Sequence, residues 1–298
     1  MNVAGVELTH PDRVLYPDQG ITKARLAQYY ERVAPLMLPH LAGRPLVLLR
    51  CPEGQEQQCF FQRHWTGPVP DTLGTIVVED LGGSRKPHIV VKDAASIVSL
   101  IQYGILEIHV WGAKTANVDL PDRIVFDLDP GPKVSWAKVR SAATRIRGLL
   151  EEIGLESWLK TTGGKGLHVV APIDRRATWD EVGAFARAVA EHLESVDPAN
   201  FVSKMAKASR QGRIFVDWLR NTRGASAVAA WSTRARPGAP VSMPWLWSRI
   251  EDLESGDQFT VATVLGSRLP RTDPWAGMPK ARQRLGATMA RSLAAAKS

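Results

Sequence analysis

Arg123-Ile124-Val125-Phe126-Asp127-Leu128-Asp129-Pro130-Gly131-Pro132 is the stretch from which the rest of the chain is read. An apolar run enters two carboxylates one residue apart and stops at Pro-Gly-Pro, the pattern of a buried strand. Side chains two apart on a strand share a face. Asp127 and Asp129 therefore project together, while Phe126 and Leu128 face the other way. Like charges so close repel unless a cation lies between them, and hard oxygen donors favour Mg²⁺ or Mn²⁺. Taken alone, the pair reads first as two solvated aspartates at a strand end. The surrounding elements move that reading.

Downstream, Ser135 stands at the cap of a helix with Trp136, Val139, Ala143, Ile146, Leu150 and Ile153 on one side and Gly154 at its end. A strand over 156–161 turns through Gly163-Gly164-Lys165-Gly166 into a strand over 167–171. Thr178 and Glu181 form a capping box for a second helix, and a strand over 213–219 carries Asp217. The order is β-α-β-β-α-β, the split motif of ferredoxin-like sheets, in which the fourth strand lies beside the first. That order predicts Asp217 next to Asp127 and Asp129. A bare carboxylate within Ile214-Phe215-Val216-Asp217-Trp218 is costly to desolvate. Pairing with Arg213 or Arg220 is one answer. The other is a metal, since three converging carboxylates suit two ions about 3.5–4 Å apart that clamp an in-line phosphoryl displacement.

Thr161-Thr162-Gly163-Gly164-Lys165-Gly166-Leu167-His168 is the second signal. Glycines let backbone N–H groups approach phosphate oxygens, and Lys165 adds a point charge. It is not a Walker loop, because Gly166 replaces the required Ser or Thr and a strand follows. His168 falls on the strand expected beside the first. Lys204, Lys207, Arg210 and Arg213 recur every three residues, followed by Arg220, Arg223, Arg234 and Arg236. Such runs are commonly solvated faces. Beside three acids, they also compensate charge that an anionic substrate would otherwise meet.

Toward the amino terminus, Thr22 caps a helix bearing Leu26, Tyr29, Tyr30, Val33, Leu36 and Met37, with Arg13, Lys23 and Arg25 at its entrance. A helix start beside lysine can lodge a phosphate; a solvated first turn is the plainer reading. Phe60-Phe61, followed by Arg63 and His64, cannot both face inward on a strand. One ring stacks outward, as on a base, or the two pack in different layers. Strands are expected over 46–50, 75–79, 88–92 and 105–111, the last with His109. A loop at 237–240 precedes tryptophans that pack back, and a basic helix is expected over 280–297.

The 298 residues suffice for one large or two modest domains. An excess of 38 Lys+Arg over 30 Asp+Glu, a net +8, favours a polyanionic partner. Cys51 and Cys59, the only cysteines, lack the company a zinc site needs, and they imply a reducing compartment. No apolar run approaches membrane-spanning length, so the expectation is a cytoplasmic, nucleoid-associated protein with no membrane partner.

With these residues in hand, the chain resembles the polymerase domain of bacterial DNA ligase D, of the archaeo-eukaryotic primase superfamily. The resemblance rests on Phe-Asp-Leu-Asp-Pro, Thr-Gly-Gly-Lys-Gly-Leu-His and Phe-Val-Asp-Trp-Leu-Arg-Asn, and extends from His10–Pro17 to about Leu253. It implies an α+β primase-polymerase fold, one domain over 1–298. Residues 1–120 are then an N-terminal α/β part with DNA-binding elements, 121–235 the catalytic sheet and 236–298 loops and helices packing back. It implies that Asp127, Asp129 and Asp217 bind two Mn²⁺ or Mg²⁺ ions. Nucleotide contacts are implied for Thr162, Gly163, Lys165, His168, His109, Arg210 and Arg234, with Phe60 and Phe61 stacking near the base. Arg13 and Lys23 would hold a DNA 5′-phosphate, and Arg50, Lys207 and Arg220 further DNA. Thr162 stands where Ser is common and Arg13 where Lys is found.

The implied activity is template-directed nucleotidyl transfer from an NTP or dNTP, ribonucleotides preferred, at gaps and breaks in non-homologous end joining. Ku and an ATP-dependent ligase are the partners the resemblance implies; no Lys-x-Asp-Gly ligase motif occurs here. Three other readings share parts of the pattern: a primase on unprimed template, a metal-dependent nuclease or phosphohydrolase, and a non-catalytic DNA-end binder. The first two would use the same acids. The last needs no converging carboxylates.

Overall fold

The computed structural model describes residues 1–286 and 289, apart from Leu81 and Arg271. The architecture is mixed α/β and divides into two compact units. The first comprises Met1–Ala116, Ser226–Met243 and Phe259–Arg271; the second comprises Asn117–Ala225, Pro244–Gln258 and Thr272–Ser298. Residues beyond 236, expected as one closing part, are divided between the two.

In the first unit, helix Lys23–Leu41 starts where the Thr22 side chain accepts from the Arg25 N–H. Its apolar stripe of Leu26, Tyr29, Tyr30, Val33 and Met37 is fully buried. Helix Ala94–Gln102 starts likewise at Asp93, which accepts from the Ser96 N–H. A four-stranded antiparallel sheet runs in the order Ser226–Val228, Ile105–Trp111, Leu46–Arg50, Phe60–Gln62. In it Arg50 pairs with Phe60, so the next residue on each strand, Cys51 and Cys59, must face each other. They are joined by a disulfide with Cα atoms 4.3 Å apart. The reducing compartment expected from two unpartnered cysteines therefore does not follow.

A separate hairpin pairs Gly74–Glu79 with Arg85–Val90. Its His88 is 3% exposed, edge-on to His64 and Trp111 at 4.7 and 5.2 Å. Burial, then the neighbouring His64, lowers its pKa to about 4. Between that value and the ordinary 6.5 the unfolded chain binds the extra proton, so this contribution is complete above pH 6.5 and lost as pH falls toward 4. It amounts to as much as about 3 kcal/mol. His88→Phe should flatten the fall in urea-unfolding free energy between pH 7 and pH 4.5. Parallel curves for variant and parent would refute the assignment.

The second unit is built on a six-stranded sheet ordered Phe201–Val202, Ile214–Asp217, Arg123–Pro130, Leu167–Pro172, Trp158–Thr161, Pro244–Trp245. All neighbours are antiparallel except the first pair. Phe126, Leu128, Leu167, Val169 and Val216 on one face are fully buried, each contributing roughly 1.5–3 kcal/mol. Helices Trp136–Glu152 and Trp179–Val196 pack on this sheet. The capping box of Thr178 and Glu181 is formed, whereas Ser135 occupies its cap position without a side-chain hydrogen bond. The tryptophans after residue 243 are structural: Trp247 Nε1 donates to Ser157 O. The basic helix expected over 280–297 lies outside the described residues except at 280–286 and 289, and residues 281–286 have no regular structure.

The strand Ile214–Asp217 ends too early to cover Val125 on the acidic strand. Asn221, at the end of the short turn Leu219–Asn221, replaces it with its side chain. Its Oδ1 accepts from Val125 N at 2.7 Å and its Nδ2 donates to Val125 O at 2.8 Å. The carboxamide mimics a strand partner, so the main chain can turn away after Asp217. Asn221→Ala leaves both buried groups unmet and should cost about 2–4 kcal/mol; a loss below about 0.5 kcal/mol in urea unfolding would contradict this role.

Candidate active site

Register, more than loops, assembles the site of the second unit. Asp217 pairs with Asp127, Asp127 with His168, and His168 with Lys160. Paired residues share a face, so four strands contribute one row: Asp217, Asp127, His168, Lys160. Asp129 follows one step along the same face, opposite Phe215. The expected meeting of three acids far apart in sequence is therefore observed. Lys160 was not anticipated. It is 2% exposed, and the hairpin turn at 162–166 made its place opposite His168 readable.

Each carboxylate has a cationic partner. Arg220 lies between Asp127 and Asp217, with contacts of 3.1 and 3.2 Å. Arg210 reaches Asp129 Oδ2 at 2.5 Å and lies over the Phe215 ring. His168 Nε2 lies 3.3 Å from Asp127 Oδ1. Of the two arginine partners conceivable for Asp217, Arg220 is the one used; Arg213 donates instead to Pro198 O. Lys207 is exposed at the start of the short helical turn Lys207–Arg210.

Burial is the leading influence on all three carboxyls, and their neighbours separate them. Burial and then Asp127 push the Asp129 carboxyl up, against Arg210 and Arg220. Burial also raises Asp217, opposed by Arg220 and reinforced by Asp127. For Asp127 burial acts upward too, but His168, Arg220 and Lys160 outweigh it and hold it well below the usual carboxylate range. His168 is lowered to about 4, by burial and then by Lys160, so it is neutral at pH 7. Among the described residues, no three His, Cys, Asp or Glu side chains stand as a ready-made cage for a metal. The donor set is nevertheless that of a hard divalent ion, and the Arg220 guanidinium marks where positive charge is required.

The glycine turn is braced from within. Thr162 Oγ1 accepts from the N–H groups of Gly164 and Gly166, both at 3.2 Å, and donates to Gly166 O at 3.0 Å. The hydroxyl expected to meet phosphate thus shapes the turn, and Lys165 alone is exposed. A Cβ on Gly166 would occupy the position of the Leu128 carbonyl oxygen, so the turn lies directly against the acidic strand.

The remaining candidates belong to the first unit. Phe60 and Phe61 are 44% and 59% exposed, and the Phe61 ring meets His109 edge-on at 5.5 Å. His109 Nε2 is 2.8 Å from Glu107 Oε2, and Arg234 forms an ion pair with the same oxygen at 2.9 Å. Lys23 is buried, its Nζ donating to Thr9 O at 2.9 Å and Gln102 O at 3.4 Å. Arg13 is held by Pro52 O and Glu53, and Arg50 Nε donates to Tyr103 O.

Residues 22–275 match the family model of the LigD primase-polymerase domain. The chain is 40% identical over 293 residues to the multifunctional non-homologous end joining protein LigD of Pseudomonas aeruginosa, covering 97% of this chain and 35% of that protein. It is 28% identical to the bifunctional LigD of Bacillus subtilis, covering 87% and 42%. The chain thus spans about a third of the length of the first of these relatives and under half of the second. The polymerase domain of Mycobacterium tuberculosis Ligase D in complex with DNA superimposes with a TM-score of 0.81 at 34% identity, covering 88% of this chain and 93% of that one. No described helix is long and apolar enough to cross a membrane.

Proposed function

This chain belongs to the LigD primase-polymerase family, and we propose that it is a nucleotidyltransferase that extends DNA 3′ ends at gaps and breaks during non-homologous end joining. The observation that carries this reading is the register placing Asp217 opposite Asp127 on the sheet that also bears Asp129. We read that sheet as the split βαβ core of a primase-polymerase.

Asp127, Asp129 and Asp217 are the residues that would hold Mg²⁺ or Mn²⁺. Bound there, the ions supply activation of a primer 3′-hydroxyl and neutralisation of the departing pyrophosphate. The chain's own groups do the rest. Arg210, Arg220, Lys165 and buried Lys160 offset the charge of a triphosphate drawn toward three acids. Neutral His168 offers a hydrogen bond without adding charge, and Thr162 with Gly163 fixes the turn presenting Lys165. His109 and Arg234 contact the nucleotide, and exposed Phe60 and Phe61 offer stacking faces to a base. A 5′-phosphate at Arg13 and Lys23, and DNA contacts at Arg50 and Lys207, follow from the family likeness. So do the ribonucleotide preference, work alongside Ku and an ATP-dependent ligase, and a cytoplasmic, nucleoid-associated setting.

The test is incubation of 5′-phosphorylated gapped DNA with Mn²⁺ or Mg²⁺ and each ribo- and deoxynucleotide. Primers lengthened one nucleotide at a time, dependent on template and metal, are expected. Shortened strands, or phosphate released without extension, would identify a hydrolase instead.

A further inference from the structure

Glu107 is a charged residue on an otherwise apolar strand, Ile105-Leu106-Glu107-Ile108-His109-Val110-Trp111, and it is 3% exposed. A buried carboxylate is costly unless it is fully engaged. This one is engaged on both oxygens. Oε2 lies 2.8 Å from His109 Nε2 and 2.9 Å from Arg234 Nε; Oε1 accepts from the Ala235 N–H at 2.9 Å. Burial pushes its pKa up, but His109, Arg234 and the Ala235 amide outweigh that and lower it to about 2. At neutral pH an ionised carboxylate can only accept, so the proton on His109 must sit on Nε2.

The segment that carries Arg234 is tied to the same strand. Ser232 Oγ accepts from Ile108 N, Thr233 Oγ1 donates to Leu106 O, and Tyr16 Oη donates to Arg234 O. With the backbone fixed on both sides, Glu107 holds both the His109 imidazole and the Arg234 guanidinium. Its row also holds Leu49 and then Phe61, whose ring meets His109.

We infer that Glu107 is a positioning residue: it holds the His109 imidazole in one tautomer and the Arg234 guanidinium in one orientation, so that together they receive the sugar and phosphates of an incoming nucleoside triphosphate. The inference rests on the proposed polymerase reading, which gives His109 and Arg234 their contact with nucleotide. A carboxylate of this kind adds no binding atom of its own. Its value lies in preorganisation.

The experiment compares Glu107→Gln, His109→Ala and Arg234→Ala, measuring nucleotide KM and kcat in gap filling and the melting temperature of each. The expected result is a KM raised about tenfold or more in Glu107→Gln, with cooperative unfolding retained. Added to the double variant His109→Ala/Arg234→Ala, Glu107→Gln should bring no further loss, because a positioning group then has nothing left to position. Nitrogen-detected NMR should show His109 protonated at Nε2 in the parent and mixed between its two nitrogens in Glu107→Gln. Should Glu107→Gln lose its folded transition, Glu107→Asp, which keeps the charge but shortens its reach, answers the same question. If His109→Ala and Arg234→Ala leave KM unchanged, the polymerase reading of those residues fails. If they raise it while Glu107→Gln does not, or if Glu107→Gln adds a further defect on the His109→Ala/Arg234→Ala background, the positioning role alone is overturned.

Discussion

Asp127→Ala should abolish nucleotide addition, lowering the rate of gap filling by about 10³-fold or more, roughly 4 kcal/mol of transition-state stabilisation. Asp127 is central in the row, between Asp217 on one side and His168 on the other. Removing it takes away a metal ligand and leaves Arg220 free to close on Asp217 alone, 3.2 Å away. Asp127→Asn, which keeps shape but not charge, should be almost as damaging, since hard divalent cations discriminate sharply between carboxylate and amide at a crowded site. Both variants should keep the parental circular dichroism spectrum, because the apolar face of the strand is untouched. Gap filling within about tenfold of the parent would remove the acidic row from the chemistry.

Gly166→Ala should be strongly harmful although it removes no charge. The added Cβ would enter the space of the Leu128 carbonyl oxygen, between the two aspartates of the acidic strand. The turn has no slack to absorb this, since Thr162 already holds the amides of Gly164 and Gly166. The turn and the strand must separate, at about 1–3 kcal/mol of stability. A displacement of about 1 Å at the reacting groups costs on the order of 10²-fold in rate. Gly148 is the matched control: it lies mid-helix with nothing near its Cβ position, so Gly148→Ala should stabilise by about 0.5–1 kcal/mol and leave gap filling intact. Equal behaviour of the two alanine variants would show that the close approach of turn and strand is unimportant.

The acidic strand, both helices packed on its sheet and the adjacency of Asp217 were readable because each rested on strong local signals: an apolar run ended by Pro-Gly-Pro, a capping box, an ordered β-α-β-β-α-β pattern. Other features depend on register, which composition does not encode. The disulfide follows from the pairing of Arg50 with Phe60; the turn signature of Cys51-Pro52-Glu53-Gly54 does not by itself announce that pairing. A single acid on an apolar strand, such as Glu107, gains meaning only from partners at 234 and 235. Asn221 replaces a missing strand, a role set by where the chain leaves Asp217. The Thr162 hydroxyl suggests a face toward a ligand, yet a hydroxyl among glycines also meets amides of its own turn. Lys160 is the exception, since counting outward from either side of the turn reaches it opposite His168.

The alignment of Asp217, Asp127, His168 and Lys160 makes pairing, more than the identity of the tip, what the connection at 162–166 must preserve. A one-residue slip of either arm would turn lysine or histidine toward the oily side of the sheet. Residues added at the tip leave that pairing where it is. The tip is thus freer to be recoloured or stretched than the two arms are to slide.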